Sequence, residues 1–400
     1  MTDVGTSARK ELDALLAEAV DAVVLRETDT FEQLAPFDTR VVLFGAGGLG
    51  RRVAAGLRSY GIEPLAFCDN NARLCGTTVD GLPVLSPPAA ASRFGDTTSF
   101  VVTVWGALGK DRMRDRIAQL RALGCKHVSS FLPLAWKYPA GVLPHYGADL
   151  PRRVHEEAER VRAAFDVWSD DASREEYVAQ VRWRLLGDFD ALKPPADHPI
   201  YFPRDLCGLR SDEVFVDCGA FDGDTARLFA REASGEFGKI FAFEPDPVSF
   251  AKLLATLRDI PGARADNVAA FSYATGAKSE RLRFIASGTA MSALGEGDLE
   301  VEARTLDEIL AGETPTYIKM DIEGSEPDAL AGAREIVLKH SPVLAISCYH
   351  RQDHLWRIPL QIHALNPNYR FYLRPHDIEM WDLICYAIPN GRSGVATDVR

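Results

Sequence analysis

Two glycines and a set of acids stand close together in VFVDCGAFDGDT at 214–225, directly after a short apolar run. Gly219 and Gly223 let a chain leaving a strand turn tightly and approach a ligand with no Cβ in the way. Asp217, at the end of that strand, can accept hydrogen bonds from a ligand amine or from loop amides. Asp224 and Thr225 stand where a helix begins, and either suits its N-cap. Carboxylates in such a loop favour a ligand with positive charge and hydroxyls and would repel a pyrophosphate, which prefers bare helix amides. S-adenosylmethionine (SAM) is a ligand of that kind. Glu244 ends the next apolar run, in FEPDP, where an acid in doubly wound folds meets ribose hydroxyls; the plainer alternative is a helix-initiating acid before Pro245. Asn267 opens a third run and is placed to reach an adenine edge, as is Asp266. The expected cofactor set is Asp217, Gly219, Ala220, Phe221, Asp222, Gly223, Thr225, Glu244, Pro245, Asn267, Val268 and Asp321.

Methyl transfer from a sulfonium is an in-line displacement with a good leaving group already present. A protein performing it must align the acceptor and exclude water, and an alcohol acceptor gains from a base. KMDIEGSE puts Lys319, Asp321 and Glu323 at alternating positions as a strand ends, on one face. SCYH puts Tyr349 and His350 at the end of the next strand. Strand carboxyl ends are where open parallel sheets bind ligands. Acids and a histidine converging there suit either a base or a divalent metal holding two acceptor oxygens. No metal-ligand set is assigned. The catalytic candidates are Asp321, His350, Lys319 and Glu323. Against these stand structural readings: Lys319 paired with a neighbouring acid, Glu323-Gly324-Ser325 capping a helix, and His350 as a satisfied core histidine. His354, one helical turn on, suits the surface or an acceptor contact.

A second glycine loop, GAGGLG at 45–50, fits G-x-G-x-x-G with a strand before it and a helix after it. Asp69 ends the following strand, where a ribose-binding acid would sit. Gly45, Gly47, Gly50 and Asp69 are therefore candidates for a second nucleotide site, whose ligand would be NAD(P), a nucleotide sugar or none.

The elements around both loops alternate strand and helix, which means parallel, doubly wound sheets. Residues 1–37 read as N-terminal helices and 38–140 as a Rossmann-like domain. Within it, 41–44, 64–70, 100–106 and 127–133 are strands and 76–87 is loop. Residues 141–199 have no strand pattern and read as a helical connector ended by KPPADHP. Residues 200–400 restart the alternation and finish in two strands, 369–374 and 383–389, with no helix between them. The fold class expected is α/β, two Rossmann-like domains joined by helices, the second with a class I methyltransferase sheet. The loop at 286–297 and the connector are expected to shape the acceptor pocket.

VDCGAFDGDT, FAFEPDP, YIKMDIEGSE, LAISCYH and YRFYLR, in this order, resemble the FkbM family of SAM-dependent methyltransferases over about residues 200–390. The resemblance implies SAM contacts at Asp217, Gly219, Glu244 and Asn267, with Asp321 lining the reaction site. It also implies O-methylation of hydroxyls on sugars, polyketides and related metabolites. His354 and Trp381-Asp382 depart from the family pattern and lie in the substrate half. The CDNN and GLPVLSP phrases are similar to small Rossmann-like domains fused to sugar-modifying enzymes, including acyltransferases that take nucleotide sugars. The function expected is O-methylation of a sugar or other polyhydroxylated metabolite. N-methylation, an NAD(P)-dependent oxidoreductase built on the first loop, and SAM binding without turnover are the competing readings.

Bulk properties narrow the partners. Four hundred residues imply two or three domains. A net charge of −12 argues against nucleic acid. No apolar run is long enough for a membrane helix, and the N-terminus lacks a signal-peptide pattern. Seven cysteines without C-x-x-C spacing fit reduced thiols in a cytoplasm. The expected partner is a small-molecule acceptor, with a nucleotide or nucleotide sugar as a further ligand of the first domain.

Overall fold

The computed structural model describes residues 3–37, 39–106, 111–285, 293–294, 297 and 299–392. The chain opens with helices α1 (Asp3–Leu15) and α2 (Val20–Leu34). The first α/β unit follows: β1 (Val41–Phe44), α3 (Gly48–Ser59), β2 (Ala66–Cys68), β3 (Thr78–Val79), β4 (Leu82–Leu85), α4 (Pro87–Phe94), β5 (Ser99–Val102), α5 (Met113–Ala122), β6 (His127–Ser130) and α6 (Phe131–Lys137). Its sheet runs β3-β4-β2-β1-β5-β6, parallel except for the β3–β4 hairpin. Strands β1 and β5 are buried throughout, as sheets covered on both faces require. Two expectations are corrected here. Residues 76–87 are not all loop, because Gly81 at φ +84° turns a hairpin whose second strand pairs with β2. Phe131–Pro133 begin a helix rather than extend a strand.

The connector contains α7 (Pro151–Glu156), α8 (Ala158–Val167) and α9 (Asp171–Leu186). Helix α1 packs on α9, with Arg9 paired to Asp166 and Arg162 to Asp13, so the N-terminal helices and the connector make one helical layer.

The second unit runs β7 (Val214–Cys218), α10 (Asp224–Glu232), β8 (Lys239–Phe243), α11 (Pro247–Arg258), β9 (Val268–Phe271), β10 (Ala274–Thr275), β11 (Glu280–Ile285), β12 (Ala293–Leu294), β13 (Leu299–Arg304), α12 (Leu306–Ile309), β14 (Tyr317–Met320), α13 (Glu326–Ala331), α14 (Arg334–His340), β15 (Val343–Ser347), α15 (His354–Leu365), β16 (Tyr369–Pro375) and β17 (Leu383–Pro389). Its main sheet has the order β16-β17-β15-β14-β7-β8-β9. The run from β15 to β9 is parallel, and β17 is antiparallel to both neighbours. The segments at 280–285 and 299–304 pair antiparallel in a separate small sheet.

Edge strand β16 would present unpaired backbone groups, which native sheets cover or block. Here the connector covers them. Ser169 N–H donates to the Phe371 carbonyl at 2.8 Å, and Ser169 Oγ accepts from Phe371 N–H at 2.9 Å. Ser173 Oγ accepts from Leu373 N–H at 2.9 Å, and Arg374 grips Asp170 at 2.6 Å. The connector is thereby fastened to the second domain. The first domain meets the same face through Trp105, whose ring lies 5.0 Å from that of Trp381.

Candidate active site

The loop after β7 is shaped by a close approach. A Cβ on Gly219 (φ +81°) would lie 1.9 Å from the Asp321 carbonyl oxygen, so the turn accepts no other residue there. Phe221 follows at φ +47°, and Gly223 at φ +87° starts α10. Glu244, at the end of β8, braces this turn: Oε2 accepts from Phe221 N–H at 2.9 Å and Oε1 from Asp246 N–H at 2.8 Å. Burial above all pushes the Glu244 carboxyl up to about 7.

Beneath the loop, Lys319 on β14 reaches across to β7. Its Nζ lies 3.0 Å from Asp217 Oδ1 and donates to the Gly219 carbonyl at 2.7 Å. Both side chains are almost wholly buried. Burial works against the Lys319 charge, but Asp217 and then Asp321 outweigh it and hold its pKa above the ordinary value.

The second cluster lies where β14 and β15 end. Glu326 opens α13 as a fully buried carboxylate, with Oε1 accepting from Ile322 N–H at 2.9 Å and lying 2.8 Å from His350 Nδ1. Its Oε2 is 3.3 Å from His354 Nδ1. His350 Nε2 is 3.2 Å from Asp321 Oδ1 and 3.8 Å from Glu323 Oε1. Asp321 Oδ2 accepts from the Tyr201 hydroxyl at 2.6 Å. Burial alone would discharge His350, yet Glu326 foremost, then Asp321 and Glu323, raise its pKa to about 10. The three carboxylates thus favour the protonated imidazole. Glu323, at the strained φ +53°, and Asp382 are each pushed up to about 7, chiefly by burial. Ligand atoms of Asp321, Glu326 and His350 lie within 4.8 Å of one another.

Both clusters open onto one cavity of about 1200 Å³. Gly219, Phe221, Asp224, Thr225, Glu244, Pro245 and Tyr273 line one side, and Lys319, Asp321, Glu323, Tyr201, Tyr349, Trp381 and Asp382 line another.

Several sequence-derived candidates take other positions. Asp217 is buried behind the loop and reaches the wall only through Lys319. Ala220, Asp222 and Gly223 shape the turn without lining the cavity. Asn267 and Val268 are corrected outright. They lie at the amino end of β9, whereas the site is at the carboxyl ends, and Asn267 spends its amide on Gly262 and Arg264 of its own turn at 3.2 and 2.6 Å. The carboxyl side of that strand brings Tyr273 instead. His350 does not itself line the cavity but stands behind Asp321 and Glu323, and Lys319 lines the cavity while donating to the Gly219 carbonyl. Glu326 and Tyr201 were missed. Glu326 ends the very run KMDIEGSE, whereas Tyr201 follows a proline-rich stretch that carries no signal.

In the first domain, Asp69 braces the glycine loop by accepting from Ala46 N–H and Asn71 N–H, each at 2.8 Å. It does not line the cavity. Gly45 has φ +118°, and a Cβ on Gly50 would meet the Gly45 carbonyl at 1.9 Å, so both glycines serve the turn. From this domain the cavity is lined instead by Gly48, Leu49, Arg52, Trp105 and Gly106. The loop at 286–297 lies largely outside the described residues.

A seven-stranded sheet with a terminal antiparallel insertion, a glycine turn braced by an acid, and a polar cleft at the strand ends define a class I methyltransferase fold. Residues 217–384 match the methyltransferase FkbM domain, and residues 40–120 match the PglD N-terminal domain. The C-terminal half belongs to the FkbM family, and the chain is a methyltransferase with a Rossmann-like N-terminal domain. The crystal structure of methyltransferase FkbM from Methylobacillus flagellatus KT shares the fold, with 24% identity and a TM-score of 0.74 over 96% of this chain and 99% of that one. Two weaker likenesses involve about a quarter of the chain and carry no weight. They are the Rex-family repressor RSP with β-NADH (21% identity, 24% of this chain, 46% of that one, TM-score 0.20) and UDP-D-quinovosamine 4-dehydrogenase from Vibrio fischeri (23%, 23%, 74%, 0.18). No curated protein matches. No helix among the described residues is long and apolar enough to cross a membrane.

FkbM methyltransferases use SAM in general, and the donor set fits it. Glu244 is a buried carboxylate on the cavity wall and suits ribose hydroxyls, while Pro245 and Tyr273 offer flat apolar surface for a base.

Proposed function

We propose that the chain transfers a methyl group from SAM to a hydroxyl of a sugar or other polyhydroxylated metabolite. The observation that carries this reading is the group of three carboxylates, Asp321, Glu323 and Asp382, on the cavity wall beside the cofactor loop. Two of them are held near pH 7. Bound SAM supplies an electrophilic methyl on a sulfonium; the residues of this chain handle the acceptor.

Asp321, held by Tyr201 and by the charged His350, accepts a hydrogen bond from the acceptor and fixes its orientation. Glu323 takes the proton from the reacting hydroxyl. A base with a pKa near the working pH combines the correct ionisation with useful driving force. His350 and Glu326 keep the array charged and in place, and Lys319 with Asp217 holds the cofactor loop.

The test is incubation with SAM and a panel of sugars, nucleotide sugars and polyhydroxylated metabolites, followed by mass spectrometry for the gain of one methyl. Glu323→Gln should cut turnover at least 100-fold, within the range general-base removal produces, and leave S-adenosylhomocysteine affinity within twofold. Methyl transfer confined to amines, or undiminished turnover in Glu323→Gln, refutes the proposal.

A further inference from the structure

The two glycine loops open onto one cavity. The cavity that holds the second loop and the carboxylates runs without a break to the start of α3 in the first domain, where Gly48, Leu49 and Arg52 line it. Pockets for a single small ligand are typically about 300–1,000 Å³. At about 1200 Å³ this space exceeds what one cofactor needs.

The middle of the cavity is aromatic and is built from all three parts of the chain. Trp105 comes from the first domain, Tyr146 from the connector, and Tyr349 and Trp381 from the second domain. Tyr146 lies 4.6 Å from Trp381 and stacks at 6.5 Å on Tyr349. The indole N–H groups of Trp105 and Trp381 are buried with no hydrogen-bond partner among the described residues, a cost that native interiors rarely leave uncompensated. Backbone strain gathers here as well. Of the ten non-glycine residues with positive φ among the described residues, Tyr146, Tyr201, Phe221, Glu323 and Asp382 line this cavity. Residues held in such conformations cluster at functional sites.

Resting on the function proposed above, we infer that the acceptor is bound between the domains. The Rossmann-like unit is its second jaw and holds no nucleotide of its own. Trp105, Tyr146, Tyr349 and Trp381 grip the apolar face of a sugar-like ring, and its reacting hydroxyl points to Asp321 and Glu323. The rest of the acceptor extends along the first domain, which makes it a molecule of more than one ring, such as a glycoside. The first domain thereby selects the acceptor's length.

Glycine positions supply a test that spares the fold. A Cβ on Gly48 or Gly106 would meet nothing within 4 Å, and neither needs a positive φ. Both line the cavity from the first domain, and neither belongs to the cofactor loop. Gly48→Trp and Gly106→Trp should fill the first domain's side of it. The probe is the low-molecular-weight extract of the source cells with methyl-labelled SAM, read as label in non-volatile product.

Both variants should lose at least tenfold in label transferred, with S-adenosylhomocysteine affinity within twofold of wild type and an unchanged melting temperature. Label transfer at the wild-type rate in both would overturn the two-jaw site and leave the methyltransferase reading standing. No label transfer by the wild type would overturn the hydroxyl-transfer proposal and this inference with it. Stabilisation of the wild type by NAD, with label transfer unaffected by the two variants, would make the first loop a separate nucleotide site.

Discussion

Replacing Lys319 by methionine separates a residue that supports the cofactor loop from one that performs chemistry. The substitution removes the cation 3.0 Å from Asp217 Oδ1 and the donor to the Gly219 carbonyl while roughly preserving volume. Asp217 is then a buried carboxylate with no opposite charge. Breaking a buried pair from one side costs about 3–5 kcal/mol, whereas replacing both members with apolar residues is often near neutral. Lys319→Met should therefore lose about 3–5 kcal/mol, and Asp217→Leu/Lys319→Met should be more stable than Lys319→Met alone. A coupling of about 2 kcal/mol or more is expected for groups in direct contact. Urea unfolding followed by circular dichroism measures both, and calorimetry with S-adenosylhomocysteine reports the loop, whose affinity should fall at least tenfold in Lys319→Met. Stability within 1 kcal/mol of wild type, with unchanged affinity and lost turnover, would refute this and return Lys319 to the chemistry.

Other outcomes follow from the same geometry. Turnover should rise with pH through about 7 as Glu323 ionises, and this limb should persist in His350→Asn; a limb that vanishes with His350 would make the histidine the base. The His350 pKa is about 10 in the folded chain against an ordinary 6.5. Its charge therefore stabilises the fold fully below pH 6.5, and that contribution is lost as pH rises through 10. The melting temperature should fall between pH 7 and 9 more steeply in wild type than in His350→Asn, and equal slopes would contradict the assignment. Gly219→Ala should abolish S-adenosylhomocysteine binding through its 1.9 Å clash, while Gly47→Ala, with nothing within 4 Å, should be tolerated; equal behaviour of the two would count against the loop geometry.

Much of the site is local and therefore legible in the chain itself. A glycine turn after a buried strand, an acid ending the next strand, and acids following β14 are short-range patterns dictated by backbone sterics and strand periodicity. VFVDCGAFDGDT, Glu244 and Asp321 could be picked out for that reason. Asn267 was misjudged because a run of apolar residues does not say which end faces the ligand; the parallel sheet does, and it favours Tyr273. The charge on His350 was equally hidden. Glu326, Asp321 and Glu323 surround it only once β14, α13 and β15 pack together, and burial then decides that their combined field outweighs desolvation.

Two glycine loops, an acidic cofactor turn and the alternation of strands and helices belong to the sequence alone, because each is a matter of neighbours along the chain. That both loops face one cavity was decided by tertiary structure. The connector locks onto edge strand β16 through Ser169, Ser173 and Asp170, which brings Trp105 against Trp381 across some 276 residues of chain. Contacts of that span depend on how whole layers pack, and no local pattern encodes them.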